Sequence, residues 1–361
     1  TVLGVAGCTA LLLIGFGIQD SILPIVDKQS GQLTHNDLTI SLSDEKALTM
    51  EQGLADTLDS SSAVHSWGAF YTKSTTLYNE EGGSADVSIV GAEDDARMTE
   101  YFTFRTRVGH DPIPFEEDSV ILTEKTALNL ELSVGDTFYV EAADGSRVPL
   151  TLTGITENYM FTRLYLSNAQ LQALLGSTPE WNTVYGLTGC TTEAEYNALR
   201  TKLLGCNYVS SVSFTEDTTS MFGSLIGSLN YVVVLIIVCA AALAAVVLYN
   251  LISVNLAERK KELATIKVLG FYDKEVYRYI FREIELLSLI GSGVGLLLGV
   301  PLHRFIILTV EMDQLMFIRT IAPHSYLLAV ALTMLFTFVV CFAMRRHVRH
   351  ISMVESMKAP E

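Results

Sequence analysis

Residues 223–256 read GSLIGSLNYVVVLIIVCAAALAAVVLYNLISVNL, and none of them carries a charged side chain. A helix needs about 20 predominantly apolar residues to cross a hydrocarbon core of roughly 30 Å, so this stretch is long enough to span a membrane. Three more uncharged runs occur along the chain. Because helices satisfy their own backbone hydrogen bonds in lipid, the runs predict an α-helical membrane protein with four transmembrane helices, at 1–19, 223–256, 286–302 and 326–344.

The composition of the 361-residue chain fits a membrane protein with a large polar part. Charged residues make up 18% and hydrophobic residues 49%, with a mean hydropathy of +0.35, whereas soluble domains average about 25% charged residues. The net charge of −16 argues against a nucleic-acid-binding protein, because neutralising phosphates requires a basic surface. Five cysteines, none of them in a CxxC pair, argue against a disulfide-rich scaffold and a zinc ribbon.

Basic residues near the span ends predict on which side of the membrane each segment lies, because short cytoplasmic loops carry an excess of Lys and Arg. Seven basic residues lie in 257–285 and four in the tail 345–361, but the segment between the third and fourth spans has only Arg304 and Arg319. The first two segments are therefore predicted to be cytoplasmic. Residues 20–222, with 30 acidic and 11 basic side chains, are then extracytoplasmic, and we call them the outer domain.

The outer domain alternates short strand-like runs with helical ones, which predicts an α+β fold. Asp144-Gly145 predicts a tight hairpin turn, because this pair tolerates positive φ. The run Thr191–Glu195 predicts the start of a helix, with a capping threonine and an acidic first turn. The predicted strands are 119–123, 136–141, 148–155, 183–188 and 208–214, with helical turns at 124–130.

Two features of the outer domain could indicate further chemistry. Cys190 and Cys206 lie at opposite ends of the predicted helix, roughly 18 Å apart, whereas a disulfide needs Cα atoms within about 7 Å, so we predict no bridge. The acidic clusters Glu93–Asp95 and Glu116–Asp118 lack the D-x-D-x-D-G spacing of an EF-hand loop. They predict a solvated acidic surface and no metal site.

The sequence contains none of the catalytic motifs expected of a membrane enzyme or pump. No Gly is followed directly by Lys, which excludes a Walker A phosphate loop, and neither HExxH nor GxSxG occurs. The four predicted spans hold no acidic or basic side chain, whereas ion-driven transporters keep ionisable groups near the midplane. We therefore predict no catalytic residue, no cofactor and no ATPase activity in this chain.

The third predicted span contains the run LSLIGSGVGLLLGV, in which Gly291, Gly295 and Gly299 recur every four residues beside Ser288 and Ser292. A face of small residues lets two helices approach closely. The pattern predicts helix packing at the three glycines, either within one subunit or at an interface between subunits.

The segment between the second and third spans is the most distinctive part of the sequence. Leu256–Leu269, LAERKKELATIKVL, predicts a charged amphipathic helix that Gly270 ends, and a second helix begins near Asp273. Phe271 and Tyr272 form an apolar tip between them. A stiff hairpin with this tip favours docking to another protein. The alternative is an interfacial helix on lipid headgroups, which the acidic residues of the segment disfavour.

These residues resemble the FtsX-like permease domain of ABC transporters. The resemblance covers residues 223–354 and rests on the ER-x-x-E…G pattern of 258–270 and on the three glycines of the third span. The stretch TALLLIGFGIQDSI resembles the first span of that family, and VILTEKTALNLELSVGDTFYVEAADG resembles its MacB-like periplasmic core domain. The chain starts within a span and resembles the second half of a longer two-repeat permease.

The resemblance implies that a separate cytoplasmic ATPase docks on the segment between the second and third spans and that its movements are passed to the outer domain. No residue of this chain would be catalytic. Expected partners are a cytoplasmic ABC ATPase subunit, a second permease half or a homodimer, and membrane lipid, with no nucleic acid. The residues expected to dock the ATPase are Glu258, Arg259, Glu262, Lys267, Gly270 and Phe271.

Two functions remain open at this point, both in a bacterial plasma membrane. The first is a permease subunit that exports or extracts a lipid, lipoprotein, peptide or antimicrobial. The second is a non-transporting relay whose outer domain activates a cell-wall hydrolase or a sensor kinase. The expected segments are the first span 1–19, the outer domain 20–222, the second span and start of a stalk 223–256, the cytoplasmic coupling helices 257–285, the third span 286–302, a short external segment 303–325, the fourth span 326–344 and the cytoplasmic tail 345–361.

Overall fold

The computed structural model describes residues 2–51, 53–142, 145–258 and 272–349. The chain divides into two compact units. We call them the helix unit, which comprises Thr1–Leu23, Ile226–Val310 and Ile318–Glu361, and the sheet unit, which comprises Pro24–Leu225 and Glu311–Phe317.

The helices differ greatly in length, because the long ones are formed by the apolar runs and the short ones lie between strands. A π-helical turn, Gln29–Leu33, follows the second helix directly. The helices are α1 Val2–Ile22, α2 Pro24–Lys28, α3 Lys46–Thr49, α4 Leu54–Asp59, α5 Asp95–Tyr101, α6 Glu124–Asn129, α7 Asn168–Leu175, α8 Glu193–Leu204, α9 Thr215–Glu258, α10 Asp273–Val310 and α11 Pro323–Arg349.

Among the described residues, four helical stretches are long and apolar enough to cross a membrane. They confirm the prediction of four such helices, with the α+β domain between the first and the later ones. The third stretch extends beyond the predicted span 286–302. The helix α10 continues to Val310 because residues 305–310, FIILTV, are apolar again after His303 and Arg304. The four stretches are Val2–Leu33, Tyr231–Asn250, Phe281–Val310 and Pro323–Ala343.

The helix unit has a small apolar core and a few buried polar contacts between helices. Leu12 and Leu13 of α1 cluster with Ala240 of α9 and Ala329 of α11. The hydroxyl of Thr9 lies 3.0 Å from the hydroxyl of Thr333. Hydrogen bonds between small hydroxyl side chains connect helices in lipid, where apolar contact alone gives little driving force.

The sheet unit is built on one mixed sheet of ten strands among the described residues, which confirms the predicted α+β fold. The order along the sheet is β10-β1-β9-β2-β3-β8-β4-β7, and β5 pairs with β2 and β6. The pairs β3–β8 and β4–β7 are parallel and the others antiparallel. The strands are β1 Leu38–Leu42, β2 Val64–Tyr78, β3 Ser84–Ala92, β4 Val120–Thr123, β5 Thr137–Glu141, β6 Arg147–Thr151, β7 Gly154–Thr156, β8 Arg163–Leu166, β9 Thr183–Thr188 and β10 Val209–Phe214.

Several of these strands confirm the sequence predictions, and one corrects them. The strand predicted at 148–155 is two strands, β6 and β7, because the chain changes partner: β6 pairs antiparallel with β5, whereas β7 pairs parallel with β4. Between them, the Leu152 amide donates to Asp136 O and the Thr153 amide donates to Val120 O. Gly145 adopts φ +81°, as the predicted turn requires, and Asp144 lies outside the described residues.

The start of α8 confirms the predicted cap. The Thr192 side chain accepts from the Glu195 amide, and the Glu195 side chain accepts from the Thr192 amide, which is a capping box. Cys190 is buried and Cys206 is half-buried, and both are free thiols in this structure.

Candidate functional site at the attachment points of the sheet unit

The residues predicted to dock an ATPase fall largely outside the described part of the chain. Glu258 is the last residue of α9. The others, Arg259, Glu262, Lys267, Gly270 and Phe271, lie outside the described residues. Their role therefore stays a prediction.

The three glycines of α10 lie against α1. A Cβ at Gly295 would stand 2.6 Å from the carbonyl oxygen of Ala6, and one at Gly291 would stand 2.9 Å from Val5 Cβ. A Cβ at Gly299 would stand 2.9 Å from a Leu13 methyl. Any larger side chain at these positions would force the two helices apart, so in this structure the glycine face packs within one chain.

The first attachment of the sheet unit is the start of α9, which follows β10 without a break. The Thr215 amide donates to Asp37 O at 2.9 Å, and its hydroxyl donates to Asn36 O at 2.9 Å. One Asp217 carboxylate oxygen accepts from the Phe214 amide and pairs with the Arg200 guanidinium. The first turn of α9 is therefore fixed to the residues directly before β1 and to α8.

The Asp37 side chain supports the same corner of the sheet unit. Its two carboxylate oxygens accept from the amide and the hydroxyl of Thr188, each at 2.7 Å. Burial raises the pKa of this carboxyl, although the bonds from Thr188 oppose the shift. The carboxylate thereby holds the end of β9 beside the start of β1.

The second attachment is the exit from α1, where the Gln29 side chain is almost fully buried. Its Nε2 donates to Asn158 Oδ1 and Thr34 Oγ1, each at 2.9 Å. Its Oε1 accepts from the amides of Tyr159 and Met160, at 2.9 and 3.2 Å. One side chain of the π-helical turn thus holds the loop that follows β7.

A buried carboxylate is the first residue of this loop. Glu157, whose side chain has no exposed surface, accepts from Arg105 Nε at 2.6 Å and from the Tyr159 hydroxyl at 2.5 Å. Burial and the nearby carboxylate raise the pKa of Tyr159, so its phenol remains protonated and donates at neutral pH. Removal of either partner would leave a buried polar group without its bond.

The third attachment is the segment Glu311–Phe317, which connects α10 towards α11 and yet belongs to the sheet unit. The Phe161 amide donates to Gln314 O at 2.9 Å, and the Met316 amide donates to Tyr159 O at 3.0 Å. Met160 and Leu315 form an antiparallel bridge between these two bonds. The loop 157–161 therefore contacts both the exit from α1 and the connection between α10 and α11.

Among the described ranges, no group of three or more His, Cys, Asp or Glu residues is placed to hold a metal ion. Sequence reasoning missed Gln29, Glu157 and the segment Glu311–Phe317. Gln29 and Asn158 are 129 positions apart, so no local pattern relates them. The weak signal that could have been used is a carboxylate, Glu311, directly after an apolar helix.

Two family models match the chain. A model described as MacB-like periplasmic core domain matches residues 1–201, and one described as FtsX-like permease C-terminal matches residues 234–353. None of the curated proteins matches.

Solved structures of extracytoplasmic domains are also similar to part of the chain. The extracellular domain of the noncanonic ABC-type transporter YknZ from Gram-positive bacteria is 14% identical, with a TM-score of 0.32, over 50% of this chain and 99% of that chain. The periplasmic region of MacB from Actinobacillus actinomycetemcomitans is 13% identical, with a TM-score of 0.33, over 53% of this chain and 94% of that chain.

Proposed function

The chain belongs to the MacB-like and FtsX-like family of ABC transporter permeases, and from this we propose that it couples a separate cytoplasmic ATPase to movements of its outer domain. The protein is a multi-pass membrane protein with an extracytoplasmic segment. Members of this family work with a cytoplasmic ABC ATPase. In our proposal the segment 257–285 binds the ATPase, and the sheet unit moves the cargo on the extracytoplasmic side.

The observation that carries the proposal is the continuity of α9. This helix runs for 44 residues from Thr215 to Glu258, at the start of the proposed docking segment. Thr215 is bonded to Asp37, directly before the first strand of the sheet unit. At 1.5 Å per residue its length is about 66 Å, roughly twice the thickness of a hydrocarbon core. A displacement at one end of such a helix is carried to the other end, because stretching it would break its backbone hydrogen bonds.

The proposed cargo is a lipid, lipoprotein, peptide or antimicrobial, which the outer domain would export or extract by changing its position. The acidic excess of residues 20–222 favours cargo without a strong negative charge, since like charges repel across a shared surface. This part of the proposal is open to direct transport assays with candidate cargoes.

Charge substitution at the apolar tip tests the docking segment. Phe271→Glu, made in the full-length permease, is expected to lower the amount of ATPase that co-purifies by about tenfold, which corresponds to about 1.4 kcal/mol of interface energy. The reason is that an aromatic side chain buried at an interface would be replaced by a charge that resists burial. The measurement is co-purification of the two proteins from detergent-solubilised membranes.

A matched control tests whether the loss of ATPase binding depends on the position of the new charge. Val108→Glu introduces the same charge at a residue of the sheet unit that is 76% exposed, and it should leave co-purification unchanged. Equal recovery of the ATPase with Phe271→Glu and with the wild type would refute the docking assignment.

A further inference from the structure

We propose that the segment Glu311–Phe317 is a strap that makes the sheet unit follow α10 and α11, and that Lys125 and Glu311 are its positioning residues. The inference rests on the proposed function and adds a third mechanical connection to those through α1 and α9. Its basis is a juxtaposition: a connection between two long apolar helices is held inside the fold of the sheet unit by an ion pair and by backbone pairing.

The strap is longer than a simple helix connection requires. Residues 311–322 separate α10 from α11, whereas connections between neighbouring helices usually take about 2–8 residues. The additional length is used for contact, because Met316 is 1% exposed and Phe317 is 7% exposed. The central part of the strap adds an antiparallel partner to the loop 159–161, as the two backbone bonds and the Met160–Leu315 bridge show.

A buried ion pair fixes the beginning of the strap. Lys125 Nζ lies 2.8 Å from Glu311 Oε2, and the two side chains are 13% and 1% exposed. The other carboxylate oxygen of Glu311 accepts from the Phe317 amide at 2.8 Å. One carboxylate therefore closes the strap on itself and ties it to α6 of the sheet unit. An ion pair removed from water depends on good geometry, so it defines one position for the strap.

The covalent connections determine what the strap can do. Glu311 follows Val310, the last residue of α10, and Phe317 precedes the residues that lead to Pro323, the first of α11. A shift of either helix must move the strap. Since the strap is paired with the sheet unit, the shift moves that unit as well, unless the ion pair and the backbone bonds give way first. Weakening the ion pair should therefore separate helix movement from movement of the sheet unit.

The test uses Lys125→Met in the full-length permease with its ATPase in lipid nanodiscs, with hydrogen exchange measured with and without ATP. In the wild type, ATP should change the exchange of the amides in 159–161 and 311–317. In Lys125→Met this ATP-dependent change should be lost, although ATP turnover and ATPase binding are retained. The conservative variant Lys125→Arg, which keeps the charge and leaves the Glu311 bond to the Phe317 amide intact, should restore it.

The outcomes separate the strap from a merely structural role and from the proposed function. Lys125→Met could raise the exchange of 159–161 and 311–317 equally with and without ATP and so keep the ATP-dependent change. The strap proposal would then be wrong, but the proposed coupling to the ATPase would be unaffected. If the wild type binds no ATPase, the proposed function itself fails. Arg97→Met is the matched control, because its pair with Glu100 is exposed, at 41% and 38%, and this variant should behave as the wild type.

Discussion

Glu157→Leu is expected to destabilise the sheet unit by about 3–5 kcal/mol, the loss typical of breaking a buried ion pair from one side. The leucine cannot accept from Arg105 Nε or from the Tyr159 hydroxyl, which lie 2.6 and 2.5 Å from the carboxylate. The Arg105 side chain is only 18% exposed, so water can replace the lost partner only in part. The adjoining loop, which holds Gln29 and the strap, should loosen at the same time.

Thermal unfolding of the purified chain measures this effect. For a unit of about 200 residues, 1 kcal/mol shifts Tm by about 2–4 °C, so Glu157→Leu should lower Tm by roughly 10 °C. Glu157→Gln keeps one acceptor and should fall between that value and the wild type. Glu100→Leu removes an exposed carboxylate and should change stability by less than about 1 kcal/mol. A Tm of Glu157→Leu equal to that of the wild type would contradict the role assigned to this carboxylate.

Gly295→Val is expected to have the largest effect in the helix unit, about 3 kcal/mol. The Cβ alone would meet Ala6 O at 2.6 Å and Thr9 Cβ at 2.7 Å. Because the carbonyl belongs to the backbone of α1, it cannot rotate away as a flexible side chain could. The helices α1 and α10 would have to separate, which would also strain the contact between Thr9 and Thr333.

The same helix supplies the control for this prediction. A Cβ at Gly293 would meet nothing within 4 Å, so Gly293→Val should insert and fold normally. The measurement is the fraction of each variant that remains monodisperse in mild detergent after heating. If Gly293→Val and Gly295→Val lost the same fraction, the packing of α1 on the glycine face would not be the cause.

The sequence predicts the parts of the fold that depend on local pattern. The apolar runs identify the four helices, and Thr192 with Glu195 identifies the start of α8, because a cap involves residues only three positions apart. The split of the predicted strand 148–155 could not be foreseen, since the break depends on β4 and β5 as partners. The alternation of apolar and polar side chains along one segment does not show where that segment stops pairing with one strand and starts pairing with another.

The attachment points were not predictable for a related reason. Gln29, Glu157 and Lys125 have polar side chains that a local pattern assigns to solvent, whereas their burial results from residues far along the chain. Lys125 and Glu311 are 186 positions apart. The predicted docking residues differ from these, because a distinctive local motif identifies them in the sequence. Of that motif, Arg259–Phe271 lies outside the described residues.

The most direct test of the account is hydrogen exchange at the first turn of α9, residues 214–217, in the full-length permease bound to its ATPase. These amides lie at the far end of a helix of about 66 Å from the proposed docking segment. ATP is expected to change their exchange in the wild type and to have no effect on it in Phe271→Glu. Identical exchange with and without ATP in a wild-type complex that hydrolyses ATP would contradict the claim that this chain transmits the movement of its ATPase.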